Sequence, residues 1–368
     1  MTTISAANAM GSGQPAIRVM LVDDSAIVRG LMARALKDDP EISVVATASD
    51  GEMALNMVKD YDVDVLILDI EMPNMDGITA LPKLLQASPK TKVIMASTLT
   101  ERNASISLEA LSLGASDYVP KPSSRENREA LDDFYRELMN KVKALGGAKK
   151  PAQITPKAPA ASPETNRVAG SWKMPKQDVK AIAIASSTGG PKALTIVLSG
   201  LKGVVLPVPV FITQHMPPKF TALLAEHLTK DTGCKVVEAS HGMAVEAGTF
   251  YIAPGDYHMI PVTSGAGLKI TLSQDPPVNF CRPAADPMFD ALAAIYRGHL
   301  LGVVLTGMGS DGKNGAHTIV GQGGTVVAQD EATCVVWGMP RAVTQANLCT
   351  EVLALDDISN YIRSALKR

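Results

Sequence analysis

Short apolar runs that stop abruptly at polar residues recur along this chain. Val19-Met20-Leu21-Val22 stops at Asp23-Asp24-Ser25, Val65-Leu66-Ile67-Leu68 stops at Asp69, and Asp117-Tyr118-Val119 leads into Pro120-Lys121. Runs of this length that are apolar throughout, rather than alternating, read as parallel strands covered by helices on both faces. A helical pattern follows the first run to about Lys37, with Asp24 or Ser25 placed to cap it. The same grammar returns after residue 180. Ala181-Ile182-Ala183-Ile184-Ala185 ends at Ser186-Ser187, Val210-Phe211-Ile212-Thr213 at Gln214-His215, and Leu301-Gly302-Val303-Val304-Leu305 at Thr306-Gly307. Tyr257 to Ser273, with Ser264-Gly265-Ala266-Gly267 between two apolar runs, reads as an antiparallel hairpin. The expected fold class is therefore α/β, with two doubly wound parallel-sheet domains.

The division between them is also visible. Periodicity fades after a helix ending near Leu145, and Gly146-Gly147 marks its stop. From there to Lys176 the composition turns to Pro, Ala, Lys and Ser, which cannot bury enough apolar surface to offset ordering entropy. Residues 16–145 are thus expected as one domain, 146–176 as a flexible linker and 177–368 as a second domain. A length of 368 residues suits two cores. With 35 basic and 37 acidic residues, net −2, the charge favours a protein partner or small ligand over nucleic acid. Cys234, Cys281, Cys334 and Cys349 form no C-x-x-C pair and have no zinc-type histidine spacing, so reduced thiols are expected. No apolar run approaches the ~20 residues of a membrane span, and the N-terminal stretch lacks signal-peptide features, so the expected location is the cytoplasm.

In an open α/β sheet the carboxyl ends of the strands meet at one crevice. Asp23, Asp24 and Asp69 would offer hard oxygens there to a divalent cation such as Mg²⁺, and Lys121 a point charge to a phosphoryl group. Helix capping alone would need one acid and no distant lysine. These residues resemble a response-regulator receiver domain, which implies a flavodoxin-like fold with Mg²⁺ as cofactor. By that resemblance Asp69 is the phospho-acceptor, Asp23 and Asp24 are the acidic pair, and the backbone carbonyl of Glu71 is a further metal ligand. Ser97, Tyr118 and Lys121 take the switch hydroxyl, switch aromatic and lysine positions.

Three strand ends of the second domain carry Ser187, His215 and Asp311. At one sheet edge they can serve as nucleophile, general base and orienting acid. Gly189-Gly190-Pro191 suits a tight turn into a helix whose N-terminus faces a developing oxyanion. Taken singly each has a bland reading as cap, structural histidine or turn residue; ending strands of one domain together, they favour catalysis. The G-x-S-x-G elbow is absent, and the order Ser, His, Asp differs from that of α/β-hydrolases. Ser-Thr-Gly-Gly, Gln-His-Met-Pro-Pro, Asn-Phe-Cys-Arg-Pro and Thr-Gly-Met-Gly-Ser-Asp-Gly together resemble the CheB chemotaxis methylesterase family, on a Rossmann-like catalytic domain. The resemblance implies Ser187 as nucleophile, His215 as base, Asp311 as orienting acid, the Met308 N–H in the oxyanion hole and Thr188 as support for the histidine and nucleophile. Ser186 stands as a rival nucleophile and His241 as a reserve base.

That resemblance further implies a phosphorylation-activated esterase acting on glutamate methyl esters of chemoreceptor cytoplasmic helices, with possible glutamine deamidation. It implies a chemotaxis histidine kinase as phosphodonor, no cofactor in the catalytic domain, no nucleic acid and no membrane insertion. Gly307-Met308-Gly309-Ser310-Asp311-Gly312 also matches G-x-G-x-x-G, with Asp330 near the ribose-binding distance. Against a dinucleotide, Asp311 would lie where the pyrophosphate charge belongs. A DNA-binding regulator and an inert scaffold complete the rivals; no basic helix-turn-helix pattern supports the first.

Overall fold

The computed structural model describes residues 16–98, 100–122, 128–147, 172–204, 206–265 and 267–367. The first unit contains strands β1 (Ile17–Val22), β2 (Ile42–Ala48), β3 (Val65–Asp69), β4 (Lys92–Thr98) and β5 (Asp117–Lys121). Its helices are α1 (Ala26–Lys37), α2 (Gly51–Met57), α3 (Gly77–Ala87), α4 (Glu101–Ser112) and α5 (Arg128–Gly146). The sheet is parallel in the order β2-β1-β3-β4-β5. Odd positions of β1 and β3 (Val19, Leu21, Val65, Ile67) pack toward Met32 of α1 and Leu138 of α5, and even ones (Met20, Leu66, Leu68) toward Leu81 and Leu108. Two buried faces explain why these strands read as continuous apolar runs.

The second unit contains β6 (Ala181–Ser186), β7 (Val210–Gln214), β8 (Lys235–Glu238), β9 (Thr249–Ile252), β10 (His258–Ser264), β11 (Gly267–Ser273), β12 (Leu300–Val304), β13 (Thr325–Gln329) and β14 (Glu351–Leu353). Its helices are α6 (Gly190–Ser199), α7 (Phe220–Thr232), α8 (Ala285–Tyr296), α9 (Lys313–Gly321), α10 (Met339–Gln345) and α11 (Leu355–Leu366). Seven strands form a parallel sheet, β14-β13-β12-β6-β7-β9-β8, and β10-β11 form the antiparallel hairpin. In β6 the alanines 181, 183 and 185 face α8, while Ile182 and Ile184 face α6, α7 and α11. Small side chains on one face let α8 lie close to the sheet. In both sheets the order of the strands reverses beside the strand that opens the unit, between β1 and β3 in one and between β12 and β6 in the other. Ligands gather at such switch points because the flanking loops diverge there.

The two units touch. Helix α4 packs on α6 and α7, and Tyr118 stacks on Phe220 with centroids 4.5 Å apart and planes 6° from parallel. Met308, Val335 and Val336 join the apolar cluster of Phe134 and Leu138 on α5. Most of the stretch expected as linker, 148–171, lies outside the described residues. Its far end packs on the second unit: Trp172 lies 5.8 Å from Tyr361, and the Lys173 N–H donates to Glu351 at 2.8 Å. No helix among the described residues is long and apolar enough to cross a membrane.

Candidate active site and phospho-acceptor site

At the first switch point Asp23, Asp24 and Asp69 bring carboxylate oxygens within 4.8 Å of one another. Asp23 and Asp69 are buried and Asp24 is exposed. Lys121 Nζ reaches Asp23 Oδ2 at 2.6 Å and Asp69 Oδ1 at 2.7 Å. Burial pushes the Asp69 carboxyl up to about 6, against the pull of Lys121. A cluster of hard oxygens with one exposed member fits a magnesium-type ion that keeps part of its water shell. Glu71 follows β3 at this edge and is exposed. The switch residues point elsewhere. Ser97 is buried with its hydroxyl 3.0 Å from Ser107 on α4, and Tyr118 is buried against Phe220 of the other unit.

At the second switch point, β6 delivers two serines with different fates. Ser186 continues the strand, is fully buried and donates to Gln214 Oε1 at 2.7 Å. Ser187 lies past the strand end and is half-buried. Its N–H donates to Thr306 O at 3.0 Å, and Gln214 Nε2 donates to its carbonyl at 3.0 Å. A Cβ on Gly307 would lie 2.8 Å from Ser187 Cβ, and one on Gly190 would lie 1.9 Å from Gln214 Oε1. Glycine at both positions lets the loops close around the serine while Gly190 opens α6 beside it.

His215 is held by its N–H to Ser186 O at 3.1 Å. Its Nε2 lies 2.7 Å from Asp311 Oδ2 and its Nδ1 3.4 Å from Cys281 Sγ. Burial disfavours the imidazolium, but the Cys281 sulfur and the Asp311 carboxylate outweigh it and hold the pKa above the ordinary histidine value. Asp311 is buried and sits over the N-terminus of α8, accepting from the N–H groups of Ala285 and Asp286 at 2.5 and 3.2 Å. Asn279 Nδ2 adds a bond to Asp311 Oδ1 at 3.1 Å. Burial alone would raise this carboxyl; the bonds from His215 and the helix N-terminus hold it below the usual carboxylate range.

Sequence reasoning reached Ser187, His215 and Asp311, and all three stand at this edge. It gave the Thr188 hydroxyl a supporting role in the histidine and nucleophile region; in this structure the hydroxyl donates to Asp117 Oδ2 of the first unit at 2.6 Å. Met308 is half-buried, in the apolar cluster under α5. The reserve base His241 is exposed, and its Nδ1 accepts the Leu272 N–H at 3.3 Å. Asp330, the acid the dinucleotide reading needs, closes a local turn through the Thr333 N–H at 3.0 Å, and Asp311, whose charge opposes a pyrophosphate, is committed to His215. Sequence reasoning missed Asp117, Gln214, Cys281 and the buried Asp286, which ties Asn279 to the Gly315 N–H. Asp286 and Cys281 stood near recognisable motifs; Asp117 carried no signal, because its partner belongs to the other unit.

A phospho-acceptor-type sheet joined to a parallel sheet with Ser, His and Asp at its switch point is the architecture of a response regulator with a hydrolase output domain. Residues 182–362 match the family described as CheB methylesterase, and residues 19–131 match the response regulator receiver domain. The protein-glutamate methylesterase/protein-glutamine glutaminase of Azospirillum brasilense is 50% identical over 376 residues, spanning 97% of this chain and 94% of that protein. A like-named protein of Paramagnetospirillum magneticum is 47% identical over 381 residues, spanning 98% of this chain and 100% of that one. The crystal structure of the Thermotoga maritima CheB methylesterase catalytic domain shares 37% identity and covers 52% of this chain and 99% of its own, with a TM-score of 0.49. The chain belongs to the CheB methylesterase family.

Proposed function

We propose that this chain hydrolyses γ-glutamyl methyl esters on the cytoplasmic helices of chemoreceptors, under control of phosphorylation at Asp69. The observation that carries the reading is the Asp311–His215 pair beside half-buried Ser187, with Nε2 of the imidazole already committed to the carboxylate. Nδ1, which lies 3.4 Å from Cys281 Sγ, is then the nitrogen that takes the serine proton. Ser187 Oγ bonds to the ester carbonyl carbon as its proton passes to Nδ1, and the Met308 N–H and the start of α6 face the oxyanion. The intermediate collapses with return of that proton to the methoxy oxygen, and methanol leaves. Water, deprotonated by the same nitrogen, cleaves the acyl-serine to free glutamate and Ser187. The glutaminase half of the relatives' names supports a second activity at the same site, with ammonia leaving from a glutamine side chain.

In the receiver, residues 16–145, the carboxylates of Asp23, Asp24 and Asp69 with the Glu71 carbonyl would hold Mg²⁺. The ion would offset charge between Asp69 and an incoming phosphoryl group. Lys121 then pairs with the phosphoryl oxygens, and Ser97 leaves Ser107 to donate to them. Tyr118 follows inward and leaves Phe220, which frees the neighbouring Asp117 from Thr188. The unphosphorylated receiver thus covers the site of the catalytic domain, residues 177–368, and phosphorylation opens it. Residues 146–176 join the two. A chemotaxis histidine kinase is the phosphodonor, and the protein acts in the cytoplasm without nucleic acid. Methanol release from methylated receptor, with and without a small phosphodonor, tests this. Release that the donor accelerates and Ser187→Ala abolishes supports it; release that survives Ser187→Ala overturns the site.

A further inference from the structure

Val278-Asn279-Phe280-Cys281 forms a two-residue turn. The Val278 N–H donates to Cys281 O at 3.1 Å, and the Cys281 N–H donates to Val278 O at 2.9 Å. Both central residues have positive φ, 53° at Asn279 and 63° at Phe280. Such a turn favours Asn followed by Gly, because the second position gains nothing from a Cβ and is strained by one. Asn279 fits this rule and Phe280 breaks it. Phe280 is also 95% exposed, more than any other large hydrophobic side chain among the described residues. Backbone strain and an unburied ring both argue that glycine would serve the fold better. Neither the turn nor the core accounts for a phenyl group here.

The surroundings supply a reason. Asn279 Nδ2 bonds Asp311 Oδ1 at 3.1 Å and Asp286 Oδ2 at 3.1 Å, and Cys281 Sγ lies 3.4 Å from His215 Nδ1. Arg282 Nε fixes the chain leaving the turn to Asp256 at 2.9 Å. The residues on either side of the ring therefore touch two members of the catalytic triad, and the ring stands on a pinned turn at the rim of the site. We propose that Phe280 is the docking residue for the polypeptide that carries the ester. Its ring packs against apolar side chains of the receptor helix and sets the neighbouring glutamyl ester over Ser187. This rests on the esterase reading above and assigns that site its contact with the substrate protein, as distinct from the methyl ester.

The test uses the phosphorylated full-length protein, with methylated receptor and p-nitrophenyl acetate as parallel substrates. Phe280→Gly should keep or raise the melting temperature and cleave the small ester at the parent rate. It should lose roughly ten- to a hundredfold in kcat/KM on receptor, mostly through KM, the factor for leaving a phenyl group in water. Phe280→Trp should retain most of the receptor activity. An equal loss on both substrates would mean that the turn merely positions the triad, and a receptor kcat/KM within about twofold of the parent would mean that the ring contacts nothing; either overturns the proposal. A parent protein that cleaves the small ester yet releases no methanol from receptor overturns the esterase reading itself, and the docking role with it.

Discussion

Asp117→Asn isolates one of the contacts between the two units without altering Ser187, His215 or Asp311. Asp117 Oδ2 accepts from Thr188 at 2.6 Å, while Oδ1 accepts from the Tyr118 N–H at 2.7 Å and Lys141 Nζ at 3.3 Å. Asparagine keeps the shape and removes the charge. A hydrogen bond to a charged group contributes about 1.5–3 kcal/mol and a neutral one about 0.5–1.5, so the closed arrangement loses about 1–1.5 kcal/mol. That is roughly a five- to tenfold shift toward the open form. Lys141 keeps Glu137 as a partner at 2.8 Å, which limits the cost to the receiver's own fold. The assay is fluorophosphonate labelling of Ser187 in the unphosphorylated full-length protein, with methanol release beside it. Both rates should rise by up to that factor, while the phosphorylated rates, already those of the open form, change little. A folded Asp117→Asn protein that labels at the parent rate would show that the Thr188 bond does not hold the receiver in place.

Three further outcomes follow from the geometry. Ser187→Ala should abolish hydrolysis, whereas Ser186→Ala should keep it while losing about 1–3 kcal/mol of stability, since Gln214 Oε1 loses its buried donor; the reverse pattern in rate and melting measurements would exchange the two serines. Because the His215 pKa is raised, the imidazolium persists to higher pH and kcat/KM should climb as the base form appears. Cys281→Ala removes one of the two groups that raise it, so the acidic limb of the small-ester pH profile should move to lower pH; an unmoved limb would deny the sulfur any influence on the base. Asp69→Asn should take no phosphate from a small donor, and Asp24→Asn should weaken Mg²⁺ binding to the receiver by at least tenfold, on the order of one lost carboxylate ligand; unchanged ion affinity by calorimetry would remove Asp24 from the ligand set.

The strand ends were legible in the sequence because a strand buried on both faces must be apolar until it leaves the sheet, so the first polar residue marks the edge. Asp23 and Asp69 are found in this way; Ser187 and His215 lie just past the first polar residues of β6 and β7 and needed the Ser-Thr-Gly-Gly and Gln-His-Met-Pro-Pro motifs as well. Asp311 was legible through its glycines, Gly309 and Gly312, whose positive φ values of 86° and 85° shape the loop after β12. The contacts that tune the site were not legible. Cys281 meets His215 across 66 positions of chain, and Asp117 meets Thr188 across 71. Neither has a local pattern, since a hydrogen bond between distant segments leaves no periodicity. The Thr188 bond to Asp117 was illegible for the same reason: the Thr188 motif is local, but this partner arrives with another sheet.

The fastening of Trp172 and Lys173 to the second unit bears on how force travels through the molecule. Lys173 N–H bonds Glu351 on the edge strand β14, and Tyr361 OH on α11 bonds the Lys173 carbonyl at 2.9 Å. Whatever connects Gly147 to Trp172 is therefore moored at one rim of the seven-stranded sheet, with β13 and β12 standing between it and β6. In the proposed opening, the receiver's pull falls on that mooring and leaves the nucleophile's strand unloaded. A truncation that begins at residue 177 cuts that mooring, uncovers the ring of Tyr361 and loosens the rim, whereas one that begins just before Trp172 keeps the catalytic sheet closed along that edge.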